Sequence, residues 1–215
     1  MTIKDYDYIY LHGFASSPQS SKAQFYKNKF EEFGVKINIP DLNGEDFPHL
    51  TLSRQLKQVQ QIINSCNKPI LLIGSSMGGI TSYILAENNP NIKKIISLAP
   101  AFQMSELWAD GISDDDLQIW QNNGYHSIFH YGYGKQTQLH YEFYTDLFNH
   151  NDHSFKRHID SLIFHGKKDD VVPIKLSEAY VQTNPNATLI TLDDNHSINK
   201  YLDYMWEMSI DFICK

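Results

Sequence analysis

Apolar segments rich in strand-forming residues alternate along this chain with segments whose apolar residues recur at helical spacing. Strands are predicted at residues 6–11, 35–39, 69–73, 92–98, 162–164 and 188–192. Helices are predicted at residues 18–33, 52–63, 77–87 and 198–213, and a further helix begins near Pro173. The segment 69–73 is short and mostly apolar, which is typical of a central parallel strand covered on both faces. The alternation predicts an α/β fold with a mostly parallel sheet and helices on both faces.

The segment from about residue 100 to 158 interrupts this alternation. It contains no clear strand pattern, and its central part is dense in aromatic residues and histidine. We interpret it as a mostly helical, lid-like insertion within one domain that spans residues 1–215. Its aromatic side chains suit either the wall of a half-wet pocket or packing onto the sheet. They are Trp108, Trp120, Tyr125, Phe129, Tyr131, Tyr133, Tyr141, Phe143, Tyr144 and Phe148.

Length, composition and charge exclude several classes of protein. The 215 residues are 41% apolar and 20% charged, which indicates a globular domain. A net charge of −7 gives no electrostatic case for binding nucleic acid or an anionic membrane. No segment approaches the roughly 18–20 apolar residues of a membrane span.

Cysteine usage and the first residues bear on the cellular compartment. Cys66 and Cys214 lie far apart, which is typical of two reduced thiols in a cytosolic protein. The first eight residues include charged side chains and no long apolar segment, so we expect no signal peptide. The sequence therefore predicts a cytoplasmic protein.

The strongest local motif is residues 73–79, Ile-Gly-Ser-Ser-Met-Gly-Gly. It contains G-x-S-x-G centred on Ser76, between a predicted strand and a predicted helix. The sharp strand-to-helix turn strains the backbone, and the flanking glycines remove Cβ atoms that would clash. Ser76 is therefore the candidate nucleophile, while Ser75 is off-centre in the motif. The alternative is a Gly-Ser turn without a chemical role.

A serine hydroxyl needs a general base, and in this strand-turn-helix context the partners follow in the order Ser, Asp or Glu, His. Asp169 lies three residues after Gly166, at the end of a predicted strand. Asp170 is the less well spaced alternative, and a solvated Lys-Lys-Asp-Asp turn is the interpretation without function.

His196 is the candidate base, because it follows the last predicted strand and precedes the final helix. A histidine that merely caps that helix is the alternative. His165 is expected to be structural at the end of its own strand. We expect activity to rise through a pKa near the ordinary histidine value of about 6.5. The chain has 10 histidines, and those that do not follow the last strand include His12, His126, His130, His140, His150, His153 and His165.

An acyl-transfer site also needs backbone donors for the oxyanion. The Met77 N–H follows the nucleophile, and the Phe14 N–H lies in the loop after the first strand. An ordinary His-Gly turn is the alternative for that loop. The histidines of the insertion lack a metal-binding spacing such as H-E-x-x-H, so no metal and no cofactor are predicted.

Residues 10–23, Tyr-Leu-His-Gly-Phe-Ala-Ser-Ser-Pro-Gln-Ser-Ser-Lys-Ala, resemble the opening of the YqiA/YcfP-like esterases, which are small bacterial α/β-hydrolases. The elbow at residues 74–79 and the pair Asn195-His196 are similar as well. S-S-P-x-S-x-K-A after H-G-F is more than an α/β-hydrolase needs. The resemblance implies ester hydrolysis by Ser76, Asp169 and His196, with short acyl chains as model substrates. The insertion has no counterpart that can be placed, and we expect the sheet to lack the first antiparallel strands of larger relatives.

These observations predict a serine hydrolase that cleaves short to medium acyl esters through an acyl-enzyme. A thioesterase acting on acyl-CoA or an acylated protein would use the same chemistry, and the sequence does not separate the two. A non-catalytic binding protein on the same fold is the third possibility, although all three members of the triad are present. The expected partner is a small molecule.

Overall fold

The computed structural model describes residues 2–150 and 154–215, and its centre is a six-stranded sheet in the order β2-β1-β3-β4-β7-β8. All neighbouring strands in this sheet are parallel. The strands, numbered along the chain, are β1 (Asp7–Leu11), β2 (Ile37–Asn38), β3 (Ile70–Ser75), β4 (Ile92–Leu98), β7 (Asp160–Gly166) and β8 (Ala187–Leu192), with β5 (Tyr125–His130) and β6 (Lys135–His140) forming a separate antiparallel pair.

Helices cover both faces of the main sheet and bury two apolar clusters against it. On one face Tyr26 and Phe30 of α1 pack with Trp206 of α8. On the other face α2 and α3 pack together with the segment between β4 and β7. Within the described residues the α-helices are α1 (Ser21–Glu32), α2 (Leu52–Asn64), α3 (Met77–Asn88), α4 (Met104–Gly111), α5 (Asp114–Asn123), α6 (Glu142–Leu147), α7 (Lys175–Thr183) and α8 (Leu202–Cys214). Two layers of helices around a parallel sheet confirm the predicted α/β class.

Element boundaries differ from the sequence prediction at several places. The first helix begins at Ser21 rather than Pro18, because residues 14–20 form turns on the way out of β1. β2 is reduced to two residues at the edge of the sheet. The final helix is preceded by a 3₁₀ turn at Asn199–Tyr201, which follows a positive φ of 45° at Ile198.

The prediction that the insertion contains no strand is wrong. Residues 125–140 form a β-hairpin beside the three helices α4, α5 and α6. Both hairpin strands are largely exposed and carry polar side chains at many positions, so they lack the apolar run that marks a strand of the main sheet. His153 lies outside the described residues.

The tip of this hairpin rests on the loop that follows β1. The Gly132 N–H donates to the Ala15 carbonyl at 3.1 Å. A Cβ on Gly132 would lie 2.8 Å from the Ser16 carbonyl oxygen, so this approach requires glycine. The Asn43 side-chain amide also donates to the Ser16 carbonyl at 2.7 Å, and its Oδ1 lies 3.2 Å from His130 Nε2. The insertion is thus joined to the loop that carries Phe14.

The helices of residues 2–150 and 154–215 are all too short or too polar to cross a bilayer.

Candidate active site

Ser76 occupies the turn between β3 and α3 in a strained backbone conformation. Its φ is 52° and its ψ is −115°, a combination that side-chain-bearing residues rarely adopt. A Cβ on Gly74 would collide with the Gly78 carbonyl, and a Cβ on Gly78 would collide with the Leu11 carbonyl. The two glycines therefore let β1, β3 and the start of α3 pack backbone against backbone. This contact explains why the motif has glycine at both positions.

The backbone around Ser76 leaves two N–H groups available. The Ser76 carbonyl accepts from Gly79, Ile80 and Ala101 at 2.9, 3.2 and 3.1 Å, so it is fully engaged. By contrast, the N–H groups of Phe14 and Met77 donate to no acceptor in the part of the chain that the structure describes. Both residues line the same cavity as Ser76. Two unused donors beside a serine can bind a developing oxyanion.

Asp169 and His196, which the sequence paired, are hydrogen-bonded. The His196 Nδ1–H donates to Asp169 Oδ2 at 2.7 Å. The other oxygen, Oδ1, accepts from the N–H groups of Val171 and Val172 at 3.0 and 2.8 Å. The Asp169 carboxylate is fully buried, whereas the His196 side chain is 24% exposed. With Nδ1–H committed to the carboxylate, Nε2 of His196 is left as the proton acceptor.

A second imidazole contacts the same carboxylate, and sequence reasoning missed it. His165 Nε2 lies 3.1 Å from Asp169 Oδ2 and 2.8 Å from the Val172 carbonyl, so its N–H is shared between them. Nδ1 of His165 then accepts from the Ser177 hydroxyl at 2.8 Å. The predicted structural role of His165 is therefore incomplete, because this buried side chain also holds residues 166–172, the turn that carries Asp169 and is called the acid turn below.

These contacts set the ionisation of Asp169. Burial by itself would raise the pKa of the carboxyl group, but hydrogen bonds from His165, His196 and the Val172 N–H outweigh it. The result is a pKa well below the ordinary aspartate value. Asp169 is therefore an anion at neutral pH, and its charge can stabilise a protonated imidazole beside it.

The same shift predicts acid-sensitive stability. Because its pKa is lowered by folding, Asp169 stabilises the protein fully above the unfolded value of about 3.9, and this contribution is lost as the pH falls through the folded pKa. Between pH 4 and pH 2.5, we expect the free energy of unfolding of the wild type to fall by at least about 1 kcal/mol more than that of Asp169→Asn. Urea titrations between pH 2.5 and 6 measure this. Asp170→Asn, at an exposed position, should keep the wild-type slope.

Strand register brings the three sequence-predicted residues to one edge of the sheet. Ser75 pairs with Leu98, and Leu98 pairs with Phe164, so β3, β4 and β7 end together. Gly166 pairs with Leu192 at the end of β8. β3 and β8 lie about 14 Å apart across the sheet, which is three strand spacings. His196 can therefore approach Ser76 only if the loop after β8 bends back across β7 and β4. The Ser76 hydroxyl makes no hydrogen bond to another described residue, so the structure shows the predicted bond between Asp169 and His196 but not one between Ser76 and His196.

The loop that carries His196 is packed against the acid turn. A Cβ on Gly166 would collide with the Asn195 carbonyl. The buried Asp194 carboxylate accepts from the Asn195 N–H at 3.0 Å and from the Lys200 N–H at 3.4 Å. On its other side, the Ser197 carbonyl accepts from Lys22 Nζ of α1 at 2.8 Å. The sequence did not predict these supports, since they join residues up to 175 positions apart.

A cavity of about 380 Å³ opens in front of Ser76. Its walls include Phe14, Val172 and three side chains of α4, which are Met104, Leu107 and Trp108. Of the insertion aromatics, Trp108 lines this cavity, whereas Trp120 and Phe143 are fully buried in the core. A larger open depression of about 630 Å³ at the β2 edge of the sheet includes none of Ser76, Asp169 and His196.

Solved structures share this architecture. Est1E from Butyrivibrio proteoclasticus with bound ferulic acid has a TM-score of 0.82 and 21% identity, covering 97% of this chain and 88% of that one. Alpha/beta hydrolase domain-containing protein 10 from mouse has a TM-score of 0.79 and 18% identity over 95% of this chain and 88% of its own. The hydrolase GrgF from Penicillium sp. sh18 gives 0.74 and 12% over 97% and 89%. The fold is therefore that of the α/β-hydrolases, as predicted.

Sequence comparison assigns the family. No curated protein matches this sequence. A family model, described as uncharacterised protein family UPF0227, matches residues 7–214. This match spans almost the whole chain, including the opening loop, the elbow and the Asn195-His196 pair that carried the resemblance to YqiA/YcfP-like proteins. The chain belongs to the UPF0227 family.

Proposed function

We propose that this protein is a serine hydrolase that cleaves carboxylic esters through an acyl-enzyme on Ser76. The observation that carries the proposal is the buried, fully hydrogen-bonded Asp169 carboxylate, which fixes the Nδ1–H tautomer of His196 on the sheet edge that also holds the Ser76 elbow. If Asp169 had only a structural role, the buried His165 and the backbone N–H groups would already satisfy its carboxylate, and the partly exposed His196 would not be needed.

In the proposed reaction, Ser76 Oγ attacks the ester carbonyl carbon while His196 Nε2 accepts its proton. Asp169 stabilises the imidazolium that forms. The Phe14 and Met77 N–H groups bind the oxyanion of the tetrahedral intermediate. When the carbon–oxygen bond of the leaving group breaks, His196 returns the proton to the departing alcohol. Water then attacks the acyl-serine by the same route, which releases the acid and frees Ser76.

A fluorophosphonate probe tests this proposal directly. We expect the wild type to react covalently and the mass increase to be located on the peptide that contains Ser76, because only an activated serine displaces fluoride at a useful rate. Denatured protein serves as the control for nonspecific labelling. Native protein that is left unlabelled at high probe concentration would contradict the enzyme and favour a binding protein.

The cavity supports an acyl group of small to medium size. Its walls are mostly apolar, and α4 supplies Leu107 and Trp108 to them. The fold relative Est1E binds ferulic acid, so the substrate panel should include a hydroxycinnamoyl ester beside straight-chain esters. Matched oxygen esters and thioesters belong to the same panel. An overwhelming preference for thioesters would assign the thioesterase activity instead.

Enlarging one wall residue should shorten the preferred acyl chain. Leu107→Trp is expected to lower kcat/KM for an octanoyl ester at least tenfold, because the indole takes up space that the chain would fill. Turnover of the acetyl ester, measured on the same preparation, should change less than threefold. An equal loss on both esters would show that Leu107 does not border the acyl site.

A further inference from the structure

The lysine of the opening S-S-P-x-S-x-K-A segment has no explanation in its own helix. Lys22 lies in the first turn of α1, where the helix dipole disfavours a positive charge. That turn contains no acidic residue, and the N-cap Ser20 makes no side-chain capping bond. Nor does Lys22 lie on open surface, since its side chain is partly buried beneath the loop after β8.

Lys22 contacts residues 193–198, the loop after β8 that carries His196 and is called the base loop below. Its Nζ donates to the Ser197 carbonyl at 2.8 Å, and Ser197 directly follows His196 in the chain. The next residue, Ile198, is fully buried with a φ of 45°, so the backbone turns sharply immediately after the bonded carbonyl. The lysine therefore holds the peptide between the imidazole-bearing residue and a strained, buried turn.

We propose that Lys22 is a positioning residue whose ammonium group, through the Ser197 carbonyl, holds His196 in the orientation that lets Nδ1 meet Asp169 and Nε2 face Ser76. This inference rests on the proposed function. It assigns to the opening segment a task separate from the Phe14 N–H. One end of residues 10–23 supplies an oxyanion donor, and the other end fixes the base.

The charges around Lys22 give the role a signature. Burial lowers its pKa, and the facing carboxylates Asp169 of the acid turn and Asp194 of the base loop only partly oppose this, so that the pKa is about 8. Below this value the ammonium makes a charge-assisted bond to the carbonyl. Above it the neutral amine is a weaker donor. Activity should therefore decline on the alkaline side of a pKa near 8.

The experiment compares Lys22→Met with Lys27→Met, a matched control at an exposed lysine of the same helix. Lys22→Met should lower kcat by about 10- to 100-fold with little change in KM, because a misplaced base slows the chemical step. It should also lose the alkaline decline. Lys22→Arg, which stays charged at all accessible pH values, should restore activity and lack the decline. Circular dichroism melts establish that each variant is folded.

Two results would overturn the inference. One is wild-type kcat in folded Lys22→Met, and the other is an alkaline decline that persists unchanged in this variant. Both are read against fluorophosphonate labelling of the wild type. A labelled wild type with an unaffected Lys22→Met removes only the role of Lys22, whereas a wild type that is not labelled removes the proposed function itself. Lys22→Met is the deciding variant, and restored activity in Lys22→Arg supports the role of the positive charge.

Discussion

Ser76→Ala is expected to lower kcat for an acyl ester by about 10⁴- to 10⁶-fold. The methyl group cannot form the acyl-enzyme, and what remains is the weak catalysis that binding and the oxyanion donors supply to water. The Cβ of alanine fits the same φ of 52° as the serine, so the elbow itself should be retained. Initial rates with a chromogenic ester measure the loss.

Ser75→Ala is the matched control for this experiment. Ser75 is the adjacent serine, lies at the end of β3 and is largely buried. Its substitution should leave kcat within about threefold of the wild type. If Ser75→Ala were inactive and Ser76→Ala active, the nucleophile would be the other serine. If both retained activity, a serine mechanism at the elbow would be excluded.

Asp169→Asn should lower kcat by about 10⁴-fold at neutral pH. The amide nitrogen of asparagine can present an N–H to His196 Nδ1, which then becomes an acceptor, so that Nε2 carries the proton and no longer works as a base. The negative charge that stabilises the imidazolium is lost in the same step. Two measurements separate this effect from loss of the site. Activity at pH 7 and above should fall, whereas the Kd of a nonhydrolysable substrate analogue should not change.

Asp170→Asn tests the alternative acid from the same turn. Asp170 is exposed, whereas the Asp169 side chain is fully buried, so the control variant should retain nearly full activity. A large loss in Asp170→Asn with Asp169→Asn unaffected would reverse the assignment. Equal and small losses in both would contradict a carboxylate-assisted base altogether.

The sequence predicts correctly those elements whose local pattern of apolar residues matches their burial in the fold. The strand at residues 69–73 was recognisable because the structure buries both of its faces, which leaves an uninterrupted apolar segment. The pairing of Asp169 with His196 could be predicted because each follows a strand of a parallel sheet, and such strands deliver their following loops to one edge.

The β-hairpin was missed for the opposite reason. Its strands pair only with each other, so neither needs the apolar face by which a strand of the main sheet is recognised. A signal was nevertheless present, since residues 125–130 and 135–140 are separated by a four-residue link that contains two glycines. The contacts of Lys22 and His165 had no such signal. They depend on how distant loops stack at the sheet edge, which composition and periodicity do not encode.

The contact between the hairpin tip and the opening loop couples the position of the insertion to the position of the Phe14 amide. Gly132 is bonded to Ala15, the immediate neighbour of Phe14, and Asn43 ties Ser16 to His130 in the same hairpin. An insertion that swung outward to admit a bulky acyl group would pull this peptide with it and carry the Phe14 amide away from the reacting carbonyl. Substrate entry and catalysis would then require two different positions of the insertion. The Phe14 amide would return to the oxyanion site only after the insertion had closed over the bound acyl group.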